Sequence, residues 1–451
     1  SAAYYLAESG RRVILLEAGR LPGGRARRVP EPRSGIELDW GPHLFMTANP
    51  ALRDFLDRIG ASSRLRFDPS LDLTYRWAEE SAPGGVRFSR LKFPARGGAL
   101  AGAWALIRWD GPGPAARLSI ARGLARLLRE PAETGGETVD RLLARLGQGA
   151  SERKWFWEPF SRAVINLPAE EGSGALFGRV VREAFGAGPG GAALGSPELA
   201  MRPFWGERSL EEIVRLGGEV RMASPVRRIR IEGGSVRGVE LSGGEFISAS
   251  LVIPAVPPPA LLAMLPEELR AQAPWRDLSR LRPSPIASAY LWLDRPSPGP
   301  AFEALVEGPW QWLFRPGVPL GAPTHPGAPT HPGPRAHPGP VVLLAGGADT
   351  IASAPRREIE ASAWEEAAKI LPGASAGRVL IVRERAATWA GGAEEQSYRP
   401  RAETPISGLI LAGDWTATGL PSTCEGAVRS GRRAAEAALS SGGFEDSPPG
   451  E

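Results

Sequence analysis

The sequence is poor in residues that bind metals or form covalent bridges. It contains one cysteine, Cys424, and four histidines among its 451 residues. A single cysteine excludes an internal disulfide and a cysteine-based metal cluster, and its place inside a glycine-rich motif predicts a packing role rather than a nucleophilic one. His325, His331 and His337 lie in a Pro/Gly-rich near-repeat at 321–340, which predicts a flexible insertion. We therefore predict no metal site.

Lysine and long apolar runs are scarce as well. Arginine supplies all but three of the 54 basic residues, and the net charge is only +4. So small a charge does not indicate nucleic acid binding; scattered arginines are typical of solvated faces, with attraction to anionic lipid as the alternative. The sequence has no signal peptide and no apolar run of about 18 residues. We therefore expect a cytoplasmic protein, at most peripheral to the inner face of the cell membrane.

The first forty residues carry part of a nucleotide-binding pattern. Residues 2–7 have a small apolar helical face, residues 13–16 form a short apolar strand, and that strand ends at Glu17. In a dinucleotide-binding βαβ unit, an acidic residue at this point accepts hydrogen bonds from the adenosine ribose. The strand and G-x-G-x-x-G turn that open such a unit would precede Ser1, since the given sequence begins inside what would be the first helix.

A tight glycine turn follows that strand. Gly23, Gly24, Arg25 and Ala26 combine a turn that lets backbone approach a ligand closely with a cation, as a pyrophosphate requires. A surface turn with a solvated arginine is the alternative. The nearby Glu17 and a second motif at the far end of the chain favour the pyrophosphate interpretation.

That second motif, LAGDWTATGLPSTCEGAVRSG, occupies residues 411–431. An apolar strand runs into Gly413 and Asp414, a loop follows, and a helix of small residues begins around 423–426. Free N–H groups and the dipole at the start of a helix favour an anionic partner. We expect Glu425 to cap this helix, whose small residues allow close approach to a cofactor. A close-packed helix without a ligand is the alternative.

Three stretches, taken in order, resemble the superfamily of flavin amine oxidases and carotenoid (phytoene) desaturases. They are VILLEAGRLPGGRA (13–26), the alternating strands of 217–258, and the closing motif of 411–431. Other stretches look most like the squalene-associated FAD-dependent desaturases, the hydroxysqualene dehydroxylase family. Those are DWGPHLF (39–45), FWEPFSRAVINLPAEEGSG (156–174), QWLFRP (311–316) and RERAATW (383–389). The resemblance covers nearly the whole chain.

The resemblance implies FAD as the cofactor and an α/β fold. In that fold a Rossmann-like FAD-binding domain is interleaved with an α+β substrate-binding domain, as in amine oxidases. The implied FAD ligands are Glu17, Gly23, Gly24, Arg25, Ala26, Val226, Gly413, Asp414, Glu425, Gly426 and Ala427. Asp414 would accept hydrogen bonds from ribityl hydroxyls, and Val226 would lie against the adenine through its backbone. The closing helix would stabilise negative charge on the reduced flavin.

The same resemblance implies discontinuous domains. The FAD-binding domain would gather residues 1–55, 205–265 and 376–440. The substrate domain would gather 56–204 and 266–375, including the insertion at 321–340, and 441–451 would form a flexible tail.

Two features of the substrate domain suit an apolar substrate. The segment 118–130 is apolar with arginine on one side. Such a basic amphipathic helix can dock on a membrane surface, and an ordinary core helix with outward arginines is the alternative. Trp310 and Trp312 alternate along a predicted strand, so we expect them to share one face and form a hydrophobic wall.

The resemblance implies reductive dehydroxylation of hydroxysqualene to squalene, in squalene or hopanoid biosynthesis, with a hydrophobic isoprenoid as the substrate. Loss of hydroxide requires a proton donor or a group that stabilises a cation. Asp39 and His43 are our candidate catalytic residues because their segment follows the glycine turn, and Glu158 is a weaker one. Their alternative role is to satisfy backbone groups. For the whole chain, a carotenoid desaturase, a flavin amine oxidase or an inert flavoprotein-like scaffold remain alternatives.

Overall fold

The computed structural model describes residues 1–441 apart from 34, 36, 40, 95–97, 131–135, 187–189, 198–204, 296, 317 and 319–339. The helices in these residues are α1 (Ala2–Glu8), α2 (Pro50–Arg58), α3 (Gly98–Arg108), α4 (Pro114–Arg129), α5 (Val139–Arg145), α6 (Ala150–Glu152), α7 (Glu158–Ile165), α8 (Gly174–Gly186), α9 (Trp205–Arg215), α10 (Pro258–Met264), α11 (Glu267–Arg270), α12 (Trp275–Leu278), α13 (Asp349–Ser353), α14 (Arg356–Ile370) and α15 (Cys424–Ser440).

The strands are β1 (Ile14–Leu16), β2 (Arg28–Pro30), β3 (Glu37–Asp39), β4 (Phe45–Met46), β5 (Leu65–Phe67), β6 (Asp72–Ala78), β7 (Val86–Lys92), β8 (Leu194–Pro197), β9 (Glu219–Arg221), β10 (Val226–Glu232), β11 (Ser235–Leu241), β12 (Phe246–Ser248), β13 (Pro283–Leu293), β14 (Phe302–Leu305), β15 (Trp312–Phe314), β16 (Val341–Gly346) and β17 (Ala376–Trp389). Helices and both parallel and antiparallel strand pairs therefore occur together.

The beginning and the end of the chain pack against each other. Helix α1 lies along α15, with Tyr4 and Ala434 buried in one apolar cluster. A Cβ atom on Gly431 would lie 2.9 Å from the Ala2 backbone nitrogen, so glycine is what allows the two helices to approach this closely. Strand β1 pairs in parallel with β9. This packing places Glu17 and the closing motif in one part of the fold.

The largest sheet has seven strands in the order β17-β13-β16-β15-β14-β6-β7. Successive residues of a strand point to opposite faces, and β13 shows it: Ala289 and Leu291 pack toward α14, whereas Tyr290 packs in the cluster formed with α4, α5 and α8. The sheet thus separates two apolar cores. A smaller antiparallel sheet, β10-β11-β12, stands apart from it.

The paired tryptophans do not share a face. Trp310 is fully buried on the α14 side of the sheet, where its Nε1 donates to Ser362 Oγ at 3.2 Å. Trp312 packs in the opposite core, with its ring 6.3 Å from that of Phe302. The expectation of a common wall is wrong because the regular strand begins only at Trp312.

The predicted fold class is confirmed, and the division into domains stays a prediction. Strand β17, which lies in the predicted FAD-binding range 376–440, pairs along its length with β13 of the predicted substrate domain. The segment 118–130 falls largely within α4. The insertion at 321–340, except its last residue, and the tail beyond 441 lie outside the described residues. Within the described part of the chain, every helix is too short or too polar to cross a membrane.

Candidate cofactor and active site

An ion pair joins the two terminal motifs. Arg25 Nη2 donates to Asp414 Oδ1 at 2.6 Å, and Arg25 Nη1 donates to the Ala387 carbonyl at 3.0 Å. The turn that presents Arg25 depends on Gly23, which has φ +114°, and a Cβ there would lie 2.8 Å from the Ala26 carbonyl oxygen. Residues 389 positions apart in sequence therefore meet in one place.

The segment after β1 lies beside the segment that leads into β10. The Glu17 N–H donates to the Arg221 carbonyl at 2.9 Å, and the Glu17 carbonyl accepts from Ser224 N at 2.8 Å. The Glu17 side chain is half-buried, and its Oε1 accepts from the Gly19 N–H at 2.6 Å. Val226 opens β10 two residues beyond Ser224. The structure thus brings the two predicted adenosine-side residues into adjacent segments.

The closing loop is buried and densely hydrogen-bonded. Asp414 accepts from Ser422 Oγ as well as from Arg25, and Ser422 Oγ in turn accepts from the Trp389 N–H at 3.0 Å. The Gly413 N–H donates to Ser430 Oγ at 2.9 Å, which fixes the start of this loop to α15. The residues before Gly413 form isolated bridges, Leu409 with Val252 and Ile410 with Glu403, in place of the predicted regular strand. The protein's own groups therefore hold this loop in shape.

Helix α15 begins where the sequence predicts, but its cap is a different residue. Thr423 is the N-cap, and its Oγ1 accepts from the Gly426 N–H at 3.1 Å. The expectation that Glu425 caps this helix is wrong. Glu425 is one position too early to reach back as in a capping box.

The Glu425 carboxylate caps α2 instead. It accepts from the Leu52 N–H at 2.8 Å and the Ala51 N–H at 3.2 Å, and Arg429 Nε donates to it at 2.6 Å. The carboxylate is buried, and its predicted contact with the cofactor stays a prediction. Gly426 and Ala427 remain at the start of α15, beside the loop.

Arg399 is a buried residue of this site that sequence reasoning missed. Its Nη1 donates to the carbonyls of Asp414 (3.3 Å) and Leu420 (3.1 Å), and its Nη2 to those of Trp389 and Ala390 (3.3 and 3.4 Å). Burial lowers the pKa of Arg399 to about 10, which leaves it charged at neutral pH. Backbone carbonyls leave no mark in sequence, so nothing distinguished this arginine from the many others.

Asp39 and His43 form a second polar pair. His43 Nδ1 and Asp39 Oδ2 lie 2.8 Å apart, and the buried Tyr290 donates its hydroxyl hydrogen to the Asp39 carbonyl. Burial opposes protonation of His43, but the facing Asp39 carboxylate and a hydrogen bond with the Gly41 backbone raise the pKa of His43 above its ordinary value. The structure therefore supports an imidazolium held by a carboxylate.

Charged groups of both pairs, Arg25–Asp414 and Asp39–His43, act on the Cys424 thiol. Burial raises the pKa of this thiol to about 11, with Asp414, Arg25 and Asp39 acting on it electrostatically. The thiol is thus protonated at neutral pH, which agrees with packing rather than nucleophilic chemistry.

A small cleft opens beside the start of α15. Its apolar lining includes Met46, Val164, Val180, Leu420 and Pro421. Its charged side chains are Glu183, which is paired with Arg429, and Glu425. Glu158, the weaker catalytic candidate, is exposed at the start of α7 and does not line this cleft.

The donor set suits a large polar cofactor. Three buried polar atoms of the described residues around the closing loop and the Asp39–His43 pair have no hydrogen-bond partner. They are Asp39 Oδ1, Trp389 Nε1 and Arg399 Nε. Buried polar groups normally have partners. Together with the positive end of the α15 dipole, they fit a ligand that supplies both donors and acceptors.

Comparisons with known proteins point in one direction. Residues 1–439 match the family described as flavin containing amine oxidoreductase. The hydroxysqualene dehydroxylase of Rhodopseudomonas palustris is 29% identical, over 98% of this chain and 96% of that protein. A 15-cis-phytoene desaturase of an Oncidium hybrid cultivar is 25% identical, over 97% of this chain and 75% of that protein. An oxidoreductase from Methanosarcina mazei shares the fold, with a TM-score of 0.73 over 96% of both chains at 19% identity.

Proposed function

The chain belongs to the flavin-containing amine oxidoreductase family and is an FAD-dependent oxidoreductase; we propose that it reductively dehydroxylates hydroxysqualene to squalene. The observation that carries this proposal is the match to a hydroxysqualene dehydroxylase along 96% of that protein. The phytoene desaturase match reaches only 75% of its protein, at lower identity. The alternative of a carotenoid desaturase is therefore less well supported.

Residues from both ends of the chain would hold the cofactor. Glu17 would accept hydrogen bonds from the adenosine ribose, and the turn with Arg25 would face the pyrophosphate. Asp414 would exchange part of its bonding to Arg25 for ribityl hydroxyls. The start of α15 would stabilise negative charge on the ring system. When bound in reduced form, FAD supplies the hydride for the new C–H bond.

The chain itself would supply the proton. As the allylic C–O bond breaks, both electrons go to oxygen, which takes up a proton and leaves as water. His43 is the proposed donor because the facing Asp39 carboxylate raises its pKa and so favours the protonated ring, and because Asp39 holds Nδ1, leaving Nε2 to transfer the proton. The apolar residues of the cleft would contact the isoprenoid chain and exclude water from the cation that develops.

A substrate of this class partitions into lipid. The proposal therefore includes a cytoplasmic protein in peripheral contact with the inner face of the cell membrane. The apolar character of the cleft supports the hydrophobic substrate.

Anaerobic turnover tests the proposal. The protein, reduced with dithionite, is incubated with hydroxysqualene, and lipid products are identified by mass spectrometry. We expect squalene and one oxidised flavin for each squalene formed. Parallel incubations of the oxidised protein with phytoene and with putrescine should leave both unchanged. Desaturated phytoene, or oxidised amine, without squalene from hydroxysqualene, would overturn the assignment. E158Q, which changes the weaker catalytic candidate, should convert hydroxysqualene at the wild-type rate because Glu158 lies outside the cleft.

A further inference from the structure

The hairpin of α3 and α4 exposes an apolar helix face. Leu100, Trp104 and Ile107 are 86%, 58% and 44% exposed. Spacings of four and three residues place them on the same side of α3. The opposite side carries the buried Leu106. Exposed apolar residues are normally scattered singly, so a row of three large ones requires an explanation.

The second helix extends this face. Arg117, in the first turn of α4, donates to the Ile107 carbonyl at 2.9 Å and to the Pro112 carbonyl at 2.8 Å. These bonds fix the start of α4 against the end of α3. Leu118, which is 44% exposed, follows directly. Both helices of the hairpin therefore expose large apolar side chains.

The charged residues of the two helices in this hairpin are all positive. Helices α3 and α4 contain five arginines and no acidic residue. Arg122, Arg126 and Arg129 are exposed, and their spacing places them on one side of α4 together with Leu118. Among the described residues, these three arginines have no ion-pair partner. Because these side chains are exposed, their charge can meet an external anion.

The hairpin also borders the walls of the cleft. Arg182 of α8 donates to the Leu127 carbonyl of α4 at 3.4 Å. On the same helix α8, Val180 and Glu183 line the cleft. The exposed face is therefore only one helix layer away from the candidate active site.

We propose that this surface, formed by Leu100, Trp104, Ile107 and Leu118 with the arginines of α4, docks on an anionic lipid bilayer. The inference rests on the proposed function, since a long isoprenoid would reach the cleft from the membrane. Apolar side chains enter the headgroup boundary, tryptophan favours that depth, and arginines bind lipid phosphates. A second copy fits this face poorly, because a two-fold contact would bring like charges together.

Vesicle flotation tests the surface. The holoenzyme is mixed with vesicles of phosphatidylcholine alone or with about 30 mol% phosphatidylglycerol. We expect about tenfold tighter binding to the anionic vesicles, weakened by about 0.5 M salt. L100S/W104S should lower binding to the anionic vesicles about tenfold. R122Q/R126Q/R129Q should remove the preference for anionic lipid.

Matched controls change the same kinds of residue elsewhere. V214S/F246S replaces two other exposed apolar side chains, and R11Q/R12Q/R357Q removes three exposed charges. Both should bind like the wild type. Equal loss in a control and its test variant, or no binding of the wild type to anionic vesicles, would overturn the proposal. So would an oligomer that L100S/W104S dissociates while vesicle binding stays unchanged.

Turnover of detergent-dispersed hydroxysqualene, measured on the same preparations, separates the two proposals. Normal turnover without vesicle binding contradicts the docking surface and leaves the function intact. Vesicle binding that depends on the named residues, without turnover, supports the surface and contradicts the function.

Discussion

The two ends of the candidate cofactor site differ in how the protein supports them. The closing loop is buried, and Asp414, Ser422, Arg399 and Thr423 fix it through side-chain hydrogen bonds. The segment from Glu17 to Ala26 is half-exposed, and apart from Arg25 its side chains make few contacts with the rest of the protein.

This difference separates two kinds of contribution. Residues of the closing loop stabilise the fold whether or not a ligand is bound, so changing them should cost stability and cofactor together. Residues at the adenosine end make few contacts in the flavin-free protein, so changing them should weaken cofactor binding without lowering the stability of the fold. Preorganisation at the flavin-ring end suits chemistry that depends on fixed dipoles and charges.

The largest effect should come from Asp414. D414A removes the buried acceptor of both Arg25 and Ser422, so we expect a loss of about 3 kcal/mol in the free energy of unfolding and loss of bound flavin. Urea unfolding of flavin-free protein and the visible spectrum measure the two effects. D414N, which keeps the shape, should be less severe. A flavin-free D414A protein as stable as the wild type would break the comparison.

His43 gives the next largest effect, on rate and its pH dependence. H43Q should slow dehydroxylation about 100-fold. Because the pKa of His43 is raised, the wild-type rate should hold at low pH and fall as pH rises through that pKa. The stability that the His43–Asp39 pair contributes should be lost over the same rise. D39N should move the falling limb to lower pH. A profile unchanged in D39N would contradict the assignment.

Glu425 tests the corrected assignment. Because its carboxylate caps α2 and binds Arg429, E425Q should lower the free energy of unfolding by about 1–2 kcal/mol. The flavin spectrum should not shift. Thermal unfolding and a spectral titration distinguish these outcomes. A shifted flavin band at unchanged stability would contradict this assignment and indicate that Glu425 contacts the flavin.

Glu17 should have the smallest effect on the fold. E17Q keeps an acceptor for the Gly19 N–H, so the free energy of unfolding of flavin-free protein should change by less than about 0.5 kcal/mol. Urea unfolding checks this value. A larger loss would mean that the two ends of the site do not differ as described.

Local patterns in the sequence located much of this site. The helix that begins at Cys424 was predictable because a loop of Thr, Gly and Pro precedes a run of small residues. Strand β1, which ends just before Glu17, was predictable because residues 13–16 form a short apolar run. The fold class followed from three motifs in order. Each of these features depends on residues that are neighbours in sequence.

What the sequence could not locate depends on distant partners. Glu425 binds the start of α2, 373 and 374 residues away. Arg399 differs from the other arginines only in the backbone carbonyls to which it donates. Trp310 lies on the opposite side of the sheet from Trp312, where it packs against α14 and donates to Ser362. Tertiary packing decides such contacts, and one sequence carries no local signal for them.

Comparing FAD with FMN most directly tests whether both ends of the chain build one cofactor site. FMN lacks the adenosine half, so Glu17 should affect only FAD. We predict that E17Q binds FAD about tenfold more weakly, about 1.4 kcal/mol, and binds FMN like the wild type, in fluorescence titrations of flavin-free protein. Equal weakening of FAD and FMN, or no weakening of either, would contradict the account.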